Sequence, residues 1–167
     1  DPDRLAITAL ALLDALGIER AVMVGNSLGG TIAIRAAARA PERVAGMMLV
    51  AAAMTGAEVF FPFRLMTLPL LGELMNKPGD KAVEMQLQAL FHPSFTPPAA
   101  LRETVRRNVF RKGAAAPFLR TLRRTMTLRG VRPAVWKKSR AQLAGVTCPV
   151  LFVHGREDVV LPVQQSI

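Results

Sequence analysis

The sequence predicts an α/β fold in which a short parallel sheet, about three strands, carries an inserted helical subdomain. Three observations carry this reading. Short apolar runs bounded by glycine recur at Ala21–Val24, in "VAGMMLVAAA" near 46–52 and in "PVLFVHG" at 149–155, as expected of strands buried on both faces. The stretch "AVMVGNSLGGTIAIRAA", residues 21–37, passes from such a strand directly into an alanine-rich helix, which makes a β-α-β unit with a right-handed crossover. The interval from Ala53 to Pro149 is far longer than one crossover helix requires, and it holds most of the prolines and arginines.

Taken in order, "DRLAITALALLDAL" reads as a helix over 3–16, with Gly17 suited to its carboxyl-terminal cap. After the first strand, a helix runs from Leu28 to Ala40 and stops before Pro41. Beyond the second strand, amphipathic patterns fall at about 82–91, 98–111, 114–128 and 133–143. The resulting division is 1–53 for the first part of the core, 54–133 for a helical insertion, and 134–167 for the returning helix and third strand.

Composition narrows the class. A chain of 167 residues is enough for about one domain. With 51% hydrophobic residues and no tyrosine, alanine and aliphatics must fill the core. The longest apolar stretch, "VFFPFRLMTLPLLGELM", is broken by Arg64, Glu73 and two prolines, so no transmembrane segment is expected. The opening Asp1-Pro2-Asp3-Arg4 shows no signal peptide. Cys148 is the single cysteine, which excludes an internal disulfide framework and fits a reducing, cytoplasmic setting. Net charge is +10, and thirteen basic residues between Arg102 and Arg140 face one acid, Glu103. Such a run could serve nucleic acid, a membrane surface or an acidic substrate. Apolar residues interrupt it throughout, so the expectation is a solvated arginine-rich helical face, with no nucleic-acid partner. Trp136 is expected to anchor the returning helix rather than to stack on a base.

The chemistry concentrates at Gly25-Asn26-Ser27-Leu28-Gly29. A strand that turns at once into a helix strains its corner residue and lifts that side chain above the sheet edge, and a Cβ two residues before or after is expected to collide. Ser27 would then be a nucleophile at a helix amino terminus, with the Leu28 N–H as oxyanion donor. The structural alternative is an N-capping serine in a tight turn.

With these residues in view the chain resembles the α/β-hydrolase family. "VMVGNSLGG" matches the nucleophile elbow, and "PVLFVHGREDVVLP" matches the strand that carries the triad acid, with Gly155 and Asp158 in the family's positions. The resemblance implies a partial α/β-hydrolase fold with a helical cap in the insertion. It implies a Ser-His-Asp triad in which Asp158 orients the imidazole. The family's histidine lies beyond the acid, so neither His92 nor His154 suits, and the chain reads as a central piece, inactive alone. The implied activity is serine hydrolysis of a carboxylic ester or similar small acyl substrate, with no metal and no cofactor.

Two alternatives stand beside it. Asn26 before the serine resembles hydrolases that cleave carbon–carbon bonds in meta-cleavage products, whose cap supplies an arginine for a substrate carboxylate. Arg106 or Arg107 lies in that region, and with Asn26 they form the expected substrate contacts. The other alternative is a non-catalytic homologue that binds through its basic surface. Oligomeric state is not legible.

Overall fold

Asp1 opens the first helix: its carboxylate accepts the Asp3 N–H at 3.0 Å, and Pro2, which has no N–H to leave unpaired, takes the first helical position. The computed structural model describes residues 1–166. The elements are α1 (Pro2–Ala15), β1 (Ala21–Asn26), α2 (Leu28–Arg39), β2 (Val44–Val50), α3 (Phe61–Leu65), α4 (Leu71–Met75), α5 (Asp80–Leu90), α6 (Ala99–Phe110), α7 (Ala115–Thr125), β3 (Met126–Thr127), β4 (Gly130–Val131), α8 (Pro133–Ala144) and β5 (Val150–Val153). The chain divides into two compact units, one made of Asp1–Glu58 with Val131–Ile167 and the other of Val59–Gly130.

In the first unit β1, β2 and β5 form a parallel sheet in that order. The register sets Met23 beside Met47 and Val150, and Gly25 beside Leu49 and Phe152. Side chains alternate across a sheet, so these rows share one face. Helix α2 packs on that face through Ala33, Ile34 and Ala37 against Val44, Met47, Leu49 and Ala52. Its alanines let the helix approach closely, and Ala6 and Leu10 of α1 then rest on Ala36. The second face differs from expectation. Its rows run Val24–Met48–Leu151 and Asn26–Val50–Val153. There Val22 and Val24 are 65% and 67% exposed and Leu151 is 58% exposed. Parallel pairing and apolar sequence are as expected, but the helices of this unit cover only one side.

Arg35 ties those helices together. It sits in α2, 3% exposed, and donates to the Val135 carbonyl at 3.2 Å, to Ser139 Oγ at 3.1 Å and to the Gln142 side-chain oxygen, all on α8. Its Nε lies 3.6 Å from Asp3 of α1. Burial lowers its pKa from the ordinary guanidinium value, and the Asp3 charge partly restores it.

The second unit is helical. Val83 and Leu87 of α5 pack with Val105 of α6, flanked by Phe91 and Val109. Arg123 of α7 grips Glu73 of α4 in a two-pronged ion pair at 2.7 and 2.8 Å, and also reaches the carbonyls of Thr67 and Leu68. The hydrogen bonds from Arg123 hold the Glu73 carboxyl at about 2, below its ordinary 4.5. No helix among the described residues is long and apolar enough to cross a membrane.

Two predictions come from these arginines. Arg35→Ala removes the buried guanidinium that bridges α2 to Ser139, Gln142 and the Val135 carbonyl of α8, and should cost about 2–4 kcal/mol in urea unfolding, whereas Lys138→Ala at the exposed Asp3 pair should cost under about 1 kcal/mol. A depressed carboxyl stabilises the fold above its unfolded pKa and loses that contribution as pH falls through the folded one. The α4–α7 link should therefore hold above pH 4.5 and open as pH falls toward 2. An NMR titration should find the Glu73 carboxyl back in the ordinary range in Arg123→Gln.

Candidate active site

Ser27 stands at the corner between β1 and α2 with φ 52° and ψ −117°, a backbone conformation that residues with a Cβ rarely adopt. Its main chain is held from several sides. The Ser27 N–H donates to the Val50 carbonyl at 2.9 Å, and its own carbonyl accepts from Gly30 at 3.0 Å and Ala53 at 3.0 Å. The Ser27 side chain makes no cap bond to the helix, which sets aside the N-capping alternative. The following segment is strained too, with Ala51 at φ 43° and Met54 at φ 61°. Buried Thr31 ties this segment to α2 by donating its hydroxyl to the Ala53 carbonyl. Sequence reasoning missed Thr31, because a threonine inside an alanine-rich helix carries no motif signal.

The glycines divide differently from expectation. A Cβ at Gly25 would lie 2.3 Å from the Gly29 carbonyl oxygen, and one at Gly30 would lie 2.6 Å from the Ala52 Cβ. A Cβ at Gly29 would meet nothing within 4 Å. The second glycine demanded by close packing is thus Gly30, which faces the loop after β2, whereas Gly29 faces open space.

Leu28 begins α2, so its N–H belongs to the first helical turn, where donors have no partner within the helix. Asn26 gives its side-chain amide to the Val50 carbonyl at 3.1 Å and thereby braces the strand end. Asp158 lies just beyond β5. Its Oδ1 accepts the N–H groups of Val160 at 2.8 Å and Leu161 at 2.9 Å, which fix the carboxylate plane. Its Oδ2 lies 3.4 Å from His154 Nε2. The His154 side chain is 3% exposed, with Nε2 donating to the Leu161 carbonyl at 2.9 Å and Nδ1 at 2.7 Å from Ser166 Oγ. Both ring nitrogens are engaged, as suits a structural histidine. His92 is exposed in the other unit, with Nδ1 at 2.7 Å from Ser94 Oγ.

Ser27 and Asp158 both follow strands of one parallel sheet. Asn26, Val50 and Val153 occupy one row, so Ser27 and the turn bearing Asp158 both leave the carboxyl ends of strands two positions, about 10 Å, apart. Arg106 and Arg107 lie on α6 of the second unit. Arg106 pairs with Asp80 and covers the Phe110 ring at 4.9 Å, while Arg107 is exposed.

Comparison with known proteins places this geometry. Residues 5–167 match the family model of the alpha/beta hydrolase fold, and the chain belongs to that family. A 2-hydroxy-6-oxononadienedioate/2-hydroxy-6-oxononatrienedioate hydrolase of Paraburkholderia phymatum is 29% identical over 156 residues, which cover 93% of this chain and 52% of the relative. Among solved structures, a meta-cleavage product hydrolase from Pseudomonas fluorescens IP01 matches with a TM-score of 0.74 at 23% identity, covering 99% of this chain and 57% of the other. Carboxylesterase CesB from Bacillus subtilis matches with a TM-score of 0.66 at 21% identity, covering 97% of this chain and 51% of the other. The chain spans about half the length of these relatives.

The elbow yields a prediction in three parts. Gly25→Ala should prevent folding or cost several kcal/mol, because the obstacle is backbone. Gly30→Ala should cost about 1–3 kcal/mol as Ala52 is displaced. Gly29→Ala, in a helix with open space beside it, should be neutral or stabilising by up to about 1 kcal/mol. Denaturant midpoints of the three variants, ranked Gly29→Ala above Gly30→Ala above Gly25→Ala, check it.

Proposed function

We propose that this chain carries the nucleophile and the acid of a serine hydrolase that cleaves a carboxylic ester or similar small acyl substrate. The observation that carries the reading is the strained backbone of Ser27 at the strand–helix corner, with its side chain unused by the helix cap. Strain at a half-buried, multiply bonded corner has no structural use here, which weighs against a non-catalytic binding module.

In this mechanism Ser27 Oγ attacks the carbonyl carbon while a histidine takes its proton. In this reading the histidine follows the acid, as the family's order implies, and so is neither His92 nor His154. Negative charge develops on the carbonyl oxygen, where the Leu28 N–H and the amino-terminal end of α2 stabilise it. Asp158, its Oδ1 fixed by two backbone donors, offers Oδ2 to the imidazolium. The histidine then protonates the leaving group, and water repeats the sequence on the acyl-enzyme. The mechanism calls on no cofactor.

A carbon–carbon hydrolase reading is favoured by the names of the relatives matched over most of this chain. It asks Asn26 and one arginine, Arg106 or Arg107, to meet an anionic substrate. Arg106 would have to leave Asp80 to do so, which makes Arg107 the better candidate.

The test uses the complete hydrolase. A fluorophosphonate probe should label Ser27, and Ser27→Ala should abolish labelling while shifting the thermal midpoint by no more than a few degrees. Asp158→Asn should lower kcat by roughly 10³–10⁴ while weak labelling persists. The isolated 167-residue chain should hydrolyse no ester. Labelling that survives Ser27→Ala would refute the assignment. A kcat/KM higher for a dienoate diketone than for a simple aryl ester would select the carbon–carbon reading.

A further inference from the structure

The second unit holds twelve lysines and arginines against four acids, counted over residues 59–130. Three of those acids, Glu73, Asp80 and Glu84, are engaged by Arg123, Arg106 and Arg102. After Glu103 the sequence contains no acid until Glu157. Three of the cations left over, Arg111, Lys112 and Arg120, fall close together in the turn that joins α6 to α7 and the start of α7.

That turn is exposed almost without interruption. Phe110 is 44% exposed, and Arg111, Lys112 and Gly113 follow it at the surface, with Gly113 reversing the chain at φ 79°. Ala116, Pro117 and Phe118 are exposed at the beginning of α7, Phe118 by 38%, and Arg120 comes next. Leu119 between them is buried, which fixes the outward direction of its neighbours. Among the described residues, Arg111, Lys112 and Arg120 form no ion pair. Two partly exposed aromatic rings, Phe110 under Arg106 and Phe118 edge-on to Phe63, thus lie with a proline among three cations that form no ion pair, within eleven consecutive residues.

We propose that the α6–α7 turn is a docking tip for an anionic lipid surface. Apolar side chains that enter the headgroup layer, flanked by cations that meet lipid phosphates, are the elements by which peripheral proteins lie on such membranes. A polyanion such as RNA fits less well. It needs a cationic groove to follow its backbone, and the hollow between α5 and α6 is lined by Asp80, Glu84 and Glu103 together with Arg102 and Arg106. Aliphatic Pro117 would also add nothing to phosphate binding. The chemistry of recognition is that of a phosphate headgroup above a hydrocarbon layer, and Arg107 and the elbow residues take no part in it.

The experiment is co-sedimentation of the complete hydrolase with two kinds of vesicle, pure phosphatidylcholine and phosphatidylcholine containing one-third phosphatidylglycerol. Binding should require the anionic lipid and should weaken as salt is raised. Each cation near such a surface is worth about a fivefold change in partitioning, so Arg111→Glu with Lys112→Glu should lower it at least about tenfold. Phe110→Ser, which keeps every charge, should lower it at high salt, where only the apolar contribution survives. Circular dichroism should be unchanged, since all three residues are exposed. Free inorganic phosphate should not compete at the concentration of accessible lipid, which separates the lipid surface from a simple phosphate site. Three results would overturn the proposal: no preference for anionic vesicles, binding indifferent to both variants, or tighter binding of single-stranded RNA at the same salt.

Discussion

The left-handed backbone at Ser27 can exist only because its amide and carbonyl are both occupied by partners that cannot move. The amide is fixed by Val50 at the end of the central strand, and the carbonyl is shared between the first turn of α2 and Ala53 in the next loop. Each partner demands something of the sequence. Gly25 must lack a Cβ to let α2 start so near the strand, and Gly30 must lack one to admit Ala52. The loop after β2 accepts strain of its own at Ala51 and Met54 to present Ala53 correctly. Alanines in α2 then allow the helix to lie flat on the sheet, and buried Arg35 fastens α1 and α8 to it.

Much of this was legible in the sequence, and the limits have physical causes. Glycine, serine and a β-branched run announce a strand-to-helix corner because few other residues tolerate that geometry. The same letters do not say which of two adjacent glycines faces a neighbour. That depends on the helix phase, and the phase turns Gly30 rather than Gly29 toward Ala52. An apolar strand announces parallel pairing, yet it cannot report which faces the same chain covers. Val22 and Val24 are as hydrophobic as Met23, but they point away from α2. Arg35 is silent for another reason. An arginine in an alanine tract reads as a surface residue until Val135, Ser139 and Gln142 arrive from a helix a hundred positions later.

The candidate site shows the same division. Ser27 and Asp158 could be proposed because each lies beside residues with strict backbone demands, at a corner and beyond a strand end. Thr31 could not, since its contribution is one hydrogen bond to a carbonyl far away in the chain. Arg106 and Arg107 are adjacent letters with different fates: helix periodicity turns Arg106 to Asp80 and leaves Arg107 in water. Charge counting located the basic region, but only pairing distinguishes cations spent on Asp80, Glu84 and Glu73 from those that remain.

The chain leaves the first unit after Glu58 and re-enters it at Val131. The Val131 N–H donates to the Ala57 carbonyl at 2.9 Å, so the chain returns to the core within one hydrogen bond of where it left. Ser27 and Asp158 both follow strands of that first unit, Ser27 directly after β1 and Asp158 in the turn beyond β5. The entropy of closing a loop grows only with the logarithm of its length. A chain built this way can lengthen, shorten or replace everything between those two residues without disturbing the strand ends. The insertion is thus an exchangeable cassette whose length the strand ends do not feel.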